Sequence, residues 1–392
     1  MDVRAVRSRY SALGGDFVFL DAPGGSQVPD EVGQAVARAY EEASGNAGFP
    51  YATSRRIEEI VGEARAATAR FLGCDGDEVI FGANMTSLCF TLSRTIARSF
   101  APGDEVVVTR LDHDGNVAPW LELEEDLGLV VRLADVHDDT TLDLDDLARL
   151  LTERTRVVAF PWAANSTGTT TDAAAVAALA HQAGAIAWVD AVQYAPHLPM
   201  DVRRAGADVL ICSSYKFFGP HLGMAAVRRE LAESWRPYKA RPAPSAPLGH
   251  SFETGTLPYE LLAGLAATFR YIDSVGGMAE LAAWERQLGE RFLSGLPERA
   301  CLYGLPSMEG RVPTFLLNFP GVGSAELSLE LAARGFGVWS ADNYYALGLH
   351  ERIGWGEALR VGLCHYNTFE EVDRLLRTLD ELVPSKSPVA RP

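Results

Sequence analysis

Short, β-branched apolar runs alternate with longer stretches of helical periodicity from about residue 16 to residue 231. The runs at 78–81, 105–109, 129–133, 157–161, 186–189 and 209–212 predict strands, and the stretches at 86–99, 143–151 and 172–182 predict helices between them. Strands alternating with helices predict an α/β fold with a mainly parallel sheet flanked by helices, whose ligands sit beyond the carboxyl ends of the strands. A proline-rich connection at 236–247 is followed by a helical segment at 260–274 and the pair Gly276-Gly277, a predicted stop. The pattern then changes to a long helix at 278–296, strands at 314–318 and 358–363, and an amphipathic helix at 369–382. This predicts a large domain over 16–275, a smaller α+β domain over 276–383 that also takes in 1–15, and a disordered tail over 384–392.

Composition narrows the function. The net charge of −17 disfavours nucleic acid or anionic lipid as a partner. No uncharged apolar run reaches the roughly 18 residues of a membrane span. The start of the chain lacks a secretory pattern, and the five cysteines are scattered without CxxC spacing. Together these predict a cytoplasmic protein with no metal site. Of the 35 basic side chains only three are lysine: Lys216, Lys239 and Lys386.

Lys216 follows an apolar run directly, in Cys212-Ser-Ser-Tyr-Lys-Phe-Phe-Gly-Pro220. Partial desolvation there lowers the amine's pKa and frees it as a nucleophile, although a surface lysine snorkelling past Phe217 and Phe218 gives the same pattern. Asp190 ends the apolar run Ile186-Ala-Trp-Val-Asp, where a carboxylate needs a cationic partner or a helix to cap. The stretch 81–88 offers a glycine turn, Met85 and Thr86 at a helix start, and so backbone N–H groups for a phosphate; alone it reads equally as an ordinary capped helix. In combination the three segments supply a Schiff-base amine, a pyridinium counterion and a phosphate cradle, the handles that pyridoxal phosphate requires.

The resemblance is carried by an ordered set of motifs. They are Phe19-Leu-Asp-Ala-Pro-Gly-Gly25, the turn at 84–87, Asp112-His-Asp-Gly-Asn116, Asn165-Ser-Thr-Gly168 and Val189-Asp-Ala-Val-Gln193. Ser213-Ser-Tyr-Lys216, Phe252-Glu-Thr-Gly-Thr256 and Arg360 ahead of His365-Tyr-Asn-Thr368 follow. Over nearly its whole length the chain resembles fold-type I pyridoxal-phosphate enzymes of the class V aminotransferase and cysteine desulfurase superfamily. That resemblance implies a seven-stranded, mainly parallel sheet and a homodimer with shared sites. It implies that His113 stacks on the cofactor ring and assists proton transfer, and that Gln193 bonds the phenolate oxygen. Asn165 would lie beside the ring, Ser213 and Tyr215 would bind the phosphate, and Thr256 would reach the partner's phosphate.

For the substrate, an amino acid, Arg360 in its apolar run would grip the α-carboxylate by its guanidinium fork, the alternative being an internal ion pair with an acid. The Gly24-Gly25 backbone, Arg55 or Arg56 reaching across the dimer, and Tyr345 would complete the site. Desulfurases carry a nucleophilic cysteine on the loop that corresponds here to 338–346, yet this loop holds Tyr344 and Tyr345 and no cysteine. The remaining thiol of interest is Cys364, which shares a strand face with Arg360 if the strand continues, and otherwise is an inert core cysteine. The chain is thus most similar to the desulfurase-like branch lacking the loop cysteine. The leading expectation is a C–S or β-eliminating lyase acting on cysteine or an S-substituted cysteine. A transaminase, an epimerase and a non-catalytic cofactor-sensing module stay open.

Overall fold

The computed structural model describes residues 1–383; the expected disordered tail at 384–392, with Lys386, lies outside the described residues. Thirteen strands run in chain order among those residues. They are β1 (Val18–Phe19), β2 (Val79–Gly82), β3 (Glu105–Thr109), β4 (Val130–Ala134), β5 (Thr155–Pro161), β6 (Ile186–Asp190) and β7 (Val209–Ser213). Then come β8 (Gly223–Val227), β9 (Cys301–Tyr303), β10 (Thr314–Asn318), β11 (Phe336–Gly337), β12 (Trp339–Ala341) and β13 (Ala358–Gly362).

The six strands predicted in the first half of the chain all form, with ends displaced by at most two residues. They join β8 in a seven-stranded sheet of order β2-β8-β7-β6-β5-β3-β4. Every pairing from β7 to β4 is parallel, and β8 runs antiparallel to both neighbours. Sequence pattern missed β8 because Gly-Met-Ala-Ala-Val has one β-branched residue and no alternation; its place between two strands is set by the sheet.

β8 matters because it brings two distant segments together. Gly223 pairs with Gly82 on one side and Ser213 on the other, so the ends of β2 and β7 meet at one point. The backbone of Asn84 packs so closely there that a Cβ on Gly223 would lie 2.4 Å from the Asn84 carbonyl carbon. Behind β2, buried Arg65 pairs with Glu253 through both carboxylate oxygens at 2.8 and 2.9 Å, and Glu253 also accepts the Phe81 N–H. This pair ties the Phe252–Thr256 motif to the strand that leads into the first turn of the site.

The second half forms a four-stranded antiparallel sheet of order β12-β13-β10-β9. Its core gathers Phe292, Phe315, Leu331, Leu359 and Leu375, separate from the larger cluster around the seven-stranded sheet. The helices Tyr259–Ser274 and Gly277–Ser294 are divided at Gly276, whose φ of 104° ends the first. The first fifteen residues do not side with the smaller sheet alone. Val6, Tyr10 and Leu13 join the larger cluster, whereas Arg7 pairs with Glu371 of the terminal helix. No helix among the described residues is long and apolar enough to cross a membrane.

Gly223→Ala is expected to lower the free energy of unfolding by about 1–3 kcal/mol, since the extra methyl group meets backbone that cannot yield. Urea denaturation followed by circular dichroism measures it; an unchanged midpoint would contradict the close approach.

Candidate active site

The carboxyl ends of β2, β5, β6 and β7 open into one half-enclosed cavity of about 600 Å³. Lys216 closes the single-turn 3-10 helix Ser214–Lys216 directly after β7. Two phenylalanines fix this turn: Phe217 packs on Phe71 at 4.9 Å, and Phe218, at φ 71°, donates its N–H to Ser26 Oγ at 2.7 Å. The Lys216 ammonium is thereby held under the Ala22–Gly25 turn and donates to the carbonyls of Pro23 at 2.5 Å and Gly24 at 3.1 Å. Only 9% of the residue is exposed. Burial, reinforced by the nearby Arg360, pulls its pKa down to about 8, against the opposing pull of Asp21 and Asp190.

Asp190 is the last residue of a strand with no solvent-facing side, so its carboxyl has left water without a full set of partners. One oxygen accepts the Val192 N–H at 2.8 Å, and burial raises the group to about 7. A cationic ring N–H brought to this carboxyl would keep it ionised. Across the cavity the helix Met85–Ile96 begins at Asn84, whose side chain accepts the Ser87 N–H at 2.9 Å. Met85 N–H donates to Ser213 Oγ at 2.8 Å, and Thr86 completes a helix start that faces the cavity. The positive helix end and the hydroxyls of Thr86 and Ser213 form an anion cradle, the Met85 and Ser87 N–H groups being spent on Ser213 and Asn84.

Asn165 and Gln193 border the same space, but their amide donors are already engaged, Asn165 by the Tyr344 carbonyl at 2.6 Å and Gln193 by the Pro23 carbonyl at 3.0 Å. What they leave without a partner are two buried acceptors, Asn165 Oδ1 and Gln193 Oε1. The bond from Gln193 to a phenolate oxygen that the resemblance implies is not set up by this geometry, because the amide turns its oxygen and not its nitrogen to a free position. Lys216, Asp190 and the helix start offer an amine, a buried carboxyl and an anion cradle, which fit the aldehyde, ring nitrogen and phosphate of pyridoxal phosphate.

His113 caps the helix Asp114–Leu127, its Nδ1 accepting the Gly115 N–H at 2.9 Å. Burial together with the cations Lys216 and Arg360 pulls the imidazole down to about 4, so it is neutral at physiological pH with its proton on Nε2. The turn that carries it rests on Asp112, buried and held by Asn116 and Thr109 at 2.8 and 2.7 Å. On one side the His113 ring stacks against Tyr345, 5.4 Å between centroids and 19° between planes. Tyr215 stacks on His221 at 4.8 Å, and its ring lies 4.7 Å from the Lys216 nitrogen.

Arg360, in the middle of β13, is 2% exposed and reaches the cavity from the smaller sheet. It donates to the Asn165 carbonyl and pairs with Asp21 Oδ1, both at 3.1 Å, while its buried Nε has no partner. Tyr344 and Trp339 place their rings 4.4 and 5.2 Å from the guanidinium carbon. The sequence reading offered an internal ion pair or a carboxylate grip; the geometry contains the pair and keeps a donor in reserve.

Three expected residues fall outside this cavity. Gly25 borders an adjoining one with Asp21 and Trp339, and its N–H is spent on the carbonyls of Asp21 and Ala22; Gly24 is the glycine that reaches the main cavity. Thr256 is exposed, and Arg55, also exposed, donates to the Pro50 carbonyl. Cys364 does not follow Arg360 into the cavity: β13 ends at Gly362, the alternation ends with it, and the thiol is fully buried with its pKa pushed well up. None of the five cysteines borders the cavity. Asp21 and the Pro23 carbonyl went unremarked in the sequence, although Asp21 stands inside a matched motif and a buried arginine demands an acid.

The aminotransferase class-V family model matches residues 18–375. A probable cysteine desulfurase 2 of Mycobacterium leprae is 32% identical, with 97% of each chain covered. The cysteine desulfurase of Thermococcus onnurineus superposes with a TM-score of 0.91 at 26% identity, covering 97% of this chain and 98% of that one. The cysteine desulfurase CsdA of Escherichia coli gives 0.89 at 25% identity, covering 98% of this chain and all of that one. With the sheet, the strand-end lysine and the family match in agreement, this chain belongs to the aminotransferase class-V family and is a pyridoxal-phosphate-dependent enzyme.

Proposed function

We propose that the enzyme is a C–S lyase that eliminates the thiol from S-substituted cysteine. The observation that carries this reading is a cavity lined by a buried lysine and a buried arginine but by no thiol. Persulfide formation needs a cysteine thiolate to attack the substrate sulfur. Here Tyr344 and Tyr345 occupy the loop where desulfurases carry that cysteine, which leaves elimination as the outcome of breaking the C–S bond. Relatives named cysteine desulfurase support chemistry at that bond.

Pyridoxal phosphate, when bound, supplies the electron sink that makes the substrate's α-proton acidic. Lys216 would hold its aldehyde carbon, Asp190 its ring nitrogen, Thr86 and Ser213 its phosphate, and His113 one ring face. Arg360 turns its donors to the substrate α-carboxylate, which takes over the place of Asp21. With a pKa near 8, Lys216 Nζ both accepts the α-proton and returns a proton to the departing sulfur. The Cα–H and Cβ–S bonds break, and water hydrolyses the remaining enamine after its tautomerisation to an imine. The balance is one S-substituted cysteine and one water giving one thiol, one pyruvate and one ammonium ion.

The reading extends to a cytoplasmic homodimer in which Arg55 and Thr256 serve the partner's site. Their exposure at segments clear of their own cavity supports this, as does the phosphate role that the motif at 252–256 implies for Thr256.

Incubation with S-methylcysteine is expected to release thiol, pyruvate and ammonia in equal amounts, and Cys364→Ala is expected to keep that activity. Alanine and sulfide formed from cysteine, lost with Cys364→Ala, would contradict it. Arg360→Gln should raise KM about 30- to 100-fold by removing charge-assisted donors, whereas Asp21→Asn should lower it several-fold by removing a competing carboxylate. Steady-state kinetics checks both, and a raised KM in Asp21→Asn would remove Asp21 as a competitor. The amine of Lys216 attacks only when neutral. Because its pKa is lowered to about 8, cofactor uptake by the apoprotein should accelerate from pH 6 to 8 and level off above about 9. Stopped-flow absorbance measures this, and acceleration continuing past pH 10 would indicate an ordinary, exposed lysine.

A further inference from the structure

The loop at 342–346 is the part of the site that the elimination chemistry does not use, yet it is tightly specified. Tyr344 and Tyr345 are consecutive and both left-handed, at φ 53° and 60°, a conformation that non-glycine side chains rarely adopt and that persists only where the surroundings impose it. The surroundings here do so by hydrogen bonds from several directions. Tyr344, 3% exposed, donates its hydroxyl to the carbonyls of Trp339 at 2.7 Å and Ala358 at 2.8 Å, and its own carbonyl accepts from Asn165. Tyr345 N–H donates to Asn343 Oδ1 at 2.8 Å, and its carbonyl accepts the Asp114 N–H at 2.6 Å.

All of this anchoring presents one ring to solvent. Tyr345 is 63% exposed at the cavity, stacked on His113 by one face, and Trp339, 43% exposed, borders the same cavity. An amino acid held by its carboxylate at Arg360, with its α-hydrogen toward Lys216, leaves its sulfur substituent to the remaining, aromatic wall. A flat ring gains offset stacking there that an alkyl group cannot.

Resting on the C–S lyase reading, we propose that Tyr345 and Trp339 form a stacking platform that selects cysteine S-conjugates bearing a planar aromatic substituent. Tyr345 is a specificity residue: it engages the leaving group rather than the reacting atoms.

The test compares S-benzylcysteine with S-methylcysteine on the holoenzyme. Wild type is expected to favour the benzyl substrate at least about tenfold in kcat/KM, Tyr345→Ala to lose most of that ratio, and Tyr345→Phe to keep it. A ratio near one in wild type, or one that survives Tyr345→Ala because both substrates suffer equally, would overturn the proposal. Calorimetric binding of the two α-methyl analogues, which have no α-hydrogen to lose, gives a second readout. If neither substrate yields pyruvate but the benzyl analogue binds wild type about tenfold tighter and Tyr345→Ala equally to the methyl analogue, the lyase reading fails and the platform stands. Equal binding of both analogues by wild type overturns the platform whatever the turnover.

Discussion

Two cations and one carboxyl line one half-enclosed cavity, a second carboxyl pairs with the arginine from the adjoining one, and the rest of the site is arranged around keeping them there. Lys216 and Arg360 repel one another, and each is too buried for water to screen it. Asp21 and Asp190 offset that repulsion from opposite sides: one pairs with Arg360 directly, and the other sits at the end of a buried strand. A group of four charges in low dielectric holds only if its geometry is rigid, because removing one member leaves another without compensation. This explains why the lysine turn is wedged by Phe217 and Phe218 and why its ammonium is held by two carbonyls rather than by an acid. A direct Lys–Asp pair would have held the amine protonated; carbonyl acceptors beside a second cation leave it near neutrality.

The same arrangement describes how the two sheets cooperate. The larger one supplies the amine, the buried acid and the helix start, all at carboxyl ends of parallel strands. The smaller one supplies Arg360 and the clamped tyrosine loop. Asn165 and Asp21 are the joints: the carbonyl of Asn165 accepts from Arg360 while its amide grips the loop, and Asp21 joins the N-terminal segment to β13. Arg360 therefore makes its contacts across the junction between the two halves.

Much of the fold was legible in sequence because the inner strands of its larger sheet are buried and so read as continuous apolar runs. Lys216 and Asp190 were legible for a related reason, since a charged side chain at the end of such a run has few explanations. What escaped was what depends on pairing rather than on composition. β8 is recognisable only from the strands that enclose it, and Asp21 only from the arginine that distant chain brings beside it. Cys364 illustrates the limit of periodicity: residue parity placed it on the face of Arg360, but the strand stops at Gly362 and parity ceases to apply. Arg55 and Thr256 illustrate another limit, because a single chain does not bring them to its own cavity.

The account stands or falls on one amine. The direct measurement is borohydride reduction of the purified, cofactor-loaded protein, followed by proteolysis and mass spectrometry of the peptides. The charge arrangement predicts a single pyridoxyl group on the peptide containing Lys216. A group on Lys239 or the N-terminus, or no covalent label at all, would contradict it.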